Sequence, residues 1–90
     1  MKINKIKTEM VDRIPHELEE GILYICLDCM VAVHLCACGC KEKVITPLDD
    51  ENGWKLYITT QGVSLEPSIG NFNQPCNTHY FIKNNKIKWC

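Results

Sequence analysis

Ninety residues, 46% of them apolar, with a formal net charge of −1, describe a chain that holds one hydrophobic core and excludes two. A domain this small buries only about 60–65% of the surface its unfolded form exposes, so a cross-link is expected to offset the ordering entropy. Ten basic residues balanced by eleven acidic ones create no field that would draw nucleic acid or an anionic membrane, and neither is expected as a partner.

The opening stretch MKINKIKTEMVDRIPHE lacks the apolar run and small-residue cleavage site of a secretory signal, so a reducing cytoplasmic setting is expected. Lys2, Lys5 and Lys7 at this end, and Lys83, Lys86 and Lys88 at the other, read as solvated faces. Pro15 to Glu20 is the one stretch that could form a helix, of at most one turn, with proline at a permitted first position and Gly21 as the stop. From there strand signals dominate. Ile22 to Cys26, Met30 to Leu35, Lys43 to Thr46, Trp54 to Thr59, His79 to Lys83 and Lys86 to Trp89 are short and rich in β-branched or aromatic residues. Turn chemistry separates them at Pro47 to Gly53, Thr60 to Gly62, Glu66-Pro67, Gly70-Asn71 and Asn84-Asn85, the last predicting a terminal hairpin. No apolar stretch approaches the length that spans a bilayer. The fold class expected is mainly β: a single zinc-binding domain over residues 1–90, built as a small antiparallel sheet or partly open barrel.

Seven cysteines suit either a disulfide framework or a metal site. Their odd number, the reducing setting and the tight spacing of Cys36, Cys38 and Cys40 favour metal. Alternation along Val31 to Cys36 places His34 and Cys36 on one strand face, and Gly39 allows a sharp turn that lets the thiolates converge. A fourth ligand must come from elsewhere, and the Pro75-Cys76-Asn77-Thr78-His79 segment offers Cys76, with His79 three residues on. Zinc suits such a donor set better than an iron–sulfur cluster, whose spacing patterns are absent. Cys26 and Cys29 form a C-x-x-C without the βαβ setting of a redox motif, so free thiols are expected there. Cys90 has no inferable role.

Three or four thiolates make a closed, structural metal site, so an enzymatic nucleophile would come from elsewhere. Ser68 follows Pro67 and precedes Ile69-Gly70, which would present its hydroxyl on a tight turn near backbone amides; ordinary turn chemistry explains the same residues. Of the three histidines, His16 reads as a surface residue. His34 and His79 are expected near the metal, as ligands, as satisfied buried groups or as a catalytic base. Asp49, Asp50 and Glu66 are carboxylates that would orient such a base, and spacing does not select among them.

The runs His34-Leu-Cys-Ala-Cys-Gly-Cys40, Val44-Ile-Thr-Pro-Leu48, Trp54, Ser64-Leu-Glu-Pro-Ser-Ile-Gly-Asn71 and Pro75-Cys-Asn-Thr-His-Tyr80, in that order, resemble a small bacterial family encoded in operons for bacterial ubiquitin-like (Bub) conjugation. The resemblance covers roughly residues 15 to 90. It implies a zinc-containing serine peptidase that processes or deconjugates a ubiquitin-like protein, which would be its partner. It also implies Cys36, Cys38, Cys40 and Cys76 as metal ligands, Ser68 as nucleophile, and His79 or His34 as base. Acyl transfer through Ser68 would follow, with the modifier's tail held along a strand edge. Two departures from the family pattern are Cys26, where a small polar residue is expected, and Lys41, where a glycine is expected. The alternative reading is a non-enzymatic zinc adaptor that binds a ubiquitin-like partner.

Overall fold

The computed structural model describes residues 2–49, 51–70 and 77–90. Eight strands follow in chain order: β1 (Lys7–Met10), β2 (Ile22–Cys26), β3 (Val31–Leu35), β4 (Lys43–Pro47), β5 (Lys55–Thr59), β6 (Gly62–Gly70), β7 (His79–Lys83) and β8 (Lys86–Trp89). They form two four-stranded sheets, β1-β2-β3-β4 and β5-β6-β7-β8, rather than a closed barrel.

Burial along each strand shows why these residues chose this form. In β4 and β7 the buried positions alternate with exposed ones, placing Val44 and Thr46, then Tyr80 and Ile82, inward, as a sheet with one wet face requires. Leu23, Ile25, Ala32 and Val44 from the first sheet meet Val63, Leu65, Ile69, Tyr80, Ile82 and Ile87 from the second in one core cluster. Each buried leucine or isoleucine contributes about 1.5–3 kcal/mol against exposure. Thr46 is wholly buried, and its hydroxyl donates to the Ala32 carbonyl at 2.7 Å, so its polarity costs little.

The N-terminal segment joins the sheets. Lys5 bridges Lys86 of β8, and two residues later the chain runs parallel to β2 as β1. Asn85 ties this seam together: its side-chain amide donates to the Ile6 carbonyl at 2.9 Å while its Oδ1 accepts the Val63 N–H at 2.6 Å. Asn84 and Asn85 have φ of 51° and 63°, the left-handed pair a two-residue hairpin needs, and the terminal hairpin is where the sequence places it. Gly62 lies so close to this turn that a Cβ would sit 2.8 Å from the Asn84 carbonyl carbon.

Of the single helical turn at most that Pro15 to Glu20 allowed, none forms: no helix occurs among the described residues and that stretch is irregular, since a single turn with no apolar stripe to bury does not repay its nucleation. Other expectations change. The sheets are not wholly antiparallel, because residues 11–21 carry the chain back from the end of β1 to start β2 alongside it. Strands β1 and β6 occur where no strand was expected. Asn71, half of one expected turn, lies outside the described residues. No helix among the described residues is long and apolar enough to cross a membrane.

Candidate active site

Strand β6 breaks its own ladder. Between Leu65 and Ile69 it advances four positions while β7, from Ile82 to Tyr80, moves through two. The surplus lies at Glu66, Pro67 and Ser68, where Glu66 and Pro67 are exposed in succession and the burial alternation fails. Proline has no N–H to give to a sheet, so an interior strand tolerates it at such a bulge. Ser68 therefore stands in a bulged strand instead of on the tight turn expected from Pro-Ser-Ile-Gly.

The bulge brings Ser68 against the first residue of β7: its Oγ is 2.5 Å from His79 Nε2. Both side chains are half-buried. His79 lies beside the Phe81 ring, centroids 6.4 Å apart and planes 29° from parallel. Bulges next to reactive groups commonly re-aim a side chain in this way.

The cysteine cluster is built by the turn after β3. Gly39, at φ 92°, and Lys41, at φ 67°, both lie in the left-handed region, and the Cys36 N–H donates to the Glu42 carbonyl at 2.8 Å to close the loop. Lys41 thus holds a conformation that suits glycine better. Ligand atoms of Cys36, Cys38 and Cys40 all lie within 4.8 Å of one another, with Cys36 and Cys38 sulfurs 3.5 Å apart. Four thiolates around one zinc would be separated by roughly 3.8 Å, given Zn–S bonds near 2.3 Å, so these three soft donors fit a thiophilic ion. Cys76, the expected fourth ligand, and Asp50 lie outside the described residues. Thr78 Oγ1 lies 3.4 Å from the Cys36 sulfur, so β7 enters beside the cluster.

Tyr80 connects the two groups. Fully buried, it lies one residue after His79, and its hydroxyl is 2.7 Å from His34 Nε2 and accepts the Ala37 N–H at 3.4 Å. Burial, with the Cys36 and Cys38 sulfurs adding to it, pushes the phenol well above its ordinary range, and a hydrogen bond links it to Cys36. His34 is wholly buried, and burial lowers its pKa to about 4. The structure brings Ser68 and His79 together, while His34 is engaged with Tyr80. Asp49 Oδ1 accepts the Glu51 N–H at 2.9 Å within its own loop, and Glu66 faces Lys55 across β5 and β6. His16 is exposed.

Cys26 and Cys29 are joined in a disulfide, which corrects the expectation of free thiols; the β2–β3 turn holds their Cα atoms 5.2 Å apart, well within bonding reach. Cys90 is an exposed free thiol. Tyr80 and Thr78 carry contacts that sequence reading overlooked. Tyr80 betrays itself only as an aromatic at an inward position of an alternating strand, a signal shared with any core residue.

Comparison with curated proteins and with solved structures gives no match for this chain. A family match does exist, over residues 10–90, to the family described as bacterial ubiquitination-like system serine protease (BubE). Since that match runs through every strand from β2 to β8 and takes in the Ser68–His79 pair and the cysteine turn, the chain belongs to the BubE family.

Proposed function

We infer that this protein is a serine peptidase that processes or deconjugates a bacterial ubiquitin-like protein, with Ser68 as nucleophile and His79 as general base. The observation that carries the reading is the 2.5 Å contact between Ser68 Oγ and His79 Nε2. A serine hydroxyl is a weak nucleophile until a base within hydrogen-bond reach takes its proton. In the reaction, Ser68 Oγ–H donates to Nε2 as Oγ bonds the tail's scissile carbonyl carbon. The imidazolium then returns the proton to the departing amine, and water, activated by the same nitrogen, releases the acyl group.

Cys36, Cys38 and Cys40, with Cys76 as fourth ligand, would hold zinc. Bound there, the ion supplies a long-range cross-link that a core of this size lacks. Tyr80 hydrogen-bonds Cys36 and precedes no catalytic step itself; it fixes the start of β7, and so His79, relative to the cysteine turn. His34 belongs to this support, since a fully buried imidazole held neutral on Tyr80 is poorly placed to exchange protons with a substrate.

The test is cleavage of a ubiquitin-like fusion by wild-type protein and by Ser68→Ala at equal zinc content. Loss of cleavage with the fold retained is expected. Equal cleavage by both proteins would remove Ser68 from the mechanism, and tight binding without cleavage by either would mark an adaptor instead.

A further inference from the structure

The outer face of the second sheet carries a groove of about 580 Å³, one wall of which is Phe81, the ring beside His79. Along β7 the residues on this face run His79, Phe81, Lys83, and along β6 they run Ser68, Glu66, Ser64, because Tyr80, Ile82, Leu65 and Val63 point into the core. Tyr57 of β5 sits opposite Ser64, and Lys88 of β8 opposite Phe81. Tyr57 and Phe81 are each 42% exposed, and both line the groove. The groove is thus an aromatic trough next to the reactive pair. Two cations, Lys83 and Lys88, line it against one anion, Glu66, so its lining is net positive.

Resting on the peptidase reading above, we propose that this groove holds the acyl-side tail of the substrate, an extended segment with an apolar side chain against Phe81 and a carboxylate meeting Lys83, with Lys88 diagonal to Lys83 across β7 and β8. The spacing follows from the strands. Same-face positions recur about every 7 Å, so Phe81 lies about two residues and Lys83 about four residues beyond the Ser68–His79 pair. An extended peptide has the same repeat, so its apolar side chain falls about two residues, and its carboxylate about four, from the scissile carbonyl. Continuity with the pair through the Phe81–His79 contact and the Lys83 cation at the far end both select this occupant.

Two fluorogenic peptides test it, each with leucine two residues before the scissile position and differing only in glutamate or lysine four residues before it. Wild-type kcat/KM is expected to be about tenfold higher for the glutamate peptide, with a preference that shrinks as salt rises. Phe81→Ala should lower cleavage of both peptides about tenfold, and the Lys83→Glu/Lys88→Glu variant should reverse the charge preference. All these side chains are exposed at the surface, and circular dichroism checks that each variant is folded. Fluorescence anisotropy of the same peptides on Ser68→Ala protein reads occupancy apart from chemistry. The glutamate preference in binding there supports the groove even if wild type cleaves nothing, an outcome that would sink only the peptidase reading. Cleavage that ignores the peptide's charge and is untouched by both variants overturns the groove and leaves the peptidase standing, as a tail paired along a strand edge would.

Discussion

At the scale of single residues, the proposed reaction rests on Ser68 and His79, and a contact of 2.5 Å leaves little room for tolerant substitution. Ser68→Ala is expected to lower kcat for cleavage of a ubiquitin-like fusion by at least ~10³-fold with unchanged circular dichroism, and His79→Ala by a similar factor, since paired groups of this kind act as a unit. Tyr80→Phe keeps the ring against Trp89, 5.1 Å between centroids, but strips the hydroxyl from His34, Ala37 and Cys36. It should cost about 1–3 kcal/mol of stability in urea titration. The sequence exposes these residues unevenly. Three cysteines at two-residue spacing point to a shared ligand, and their sulfurs do converge, whereas Tyr80 looks like any buried aromatic. The Cys26–Cys29 bond is hidden for another reason: the same spacing serves a free pair, a ribbon or a disulfide, and the turn geometry that decides is not local in the sequence.

Among the elements, β6 decides whether the site exists. Its two surplus residues across from β7 lift Ser68 out of a regular ladder and set it beside His79. Removing Glu66 and Pro67 together would restore an even register and place Ser68 across from Phe81. That variant is expected to fold, by thermal melt and circular dichroism, and to lose cleavage by at least ~10²-fold, because misplacement of a reactive group by an ångström or more costs that much. The bulge is also where strand reading fails. Val63 and Leu65 start a clear alternation, and Glu66-Pro67 interrupts it with residues that ordinarily belong to turns. β1 escapes notice since Lys7–Met10 is a mostly exposed edge segment with no apolar face. By contrast β2, β4, β7 and β8 are legible because their burial and composition agree, and Asn84-Asn85 marks the hairpin between the last two.

Over the whole molecule, two sheets share one core and are stitched by the N-terminal segment and, in the functional reading, by zinc. Asn85→Ala would remove both side-chain hydrogen bonds of the seam and place alanine at φ 63°. It should destabilise the fold by about 2–3 kcal/mol, read by chemical denaturation. Metal analysis should find about one zinc per chain, and chelation should lower the melting temperature sharply and abolish cleavage, with recovery on adding zinc back. The mainly β class and the cysteine turn are legible in the sequence at this scale. The division into two sheets is not, because it turns on β4 and β5, neighbours in the chain, falling in different sheets, while the Lys5–Lys86 bridge that joins the sheets brings together segments from opposite ends of the chain.

The central claim is that the β6 bulge makes Ser68 a nucleophile through His79. Mass spectrometry after treatment with a fluorophosphonate probe tests it most directly. A single adduct on Ser68 is predicted in wild-type protein, lost in His79→Ala. A preparation that cleaves a ubiquitin-like fusion while Ser68 stays unlabelled and another residue carries the probe would contradict it.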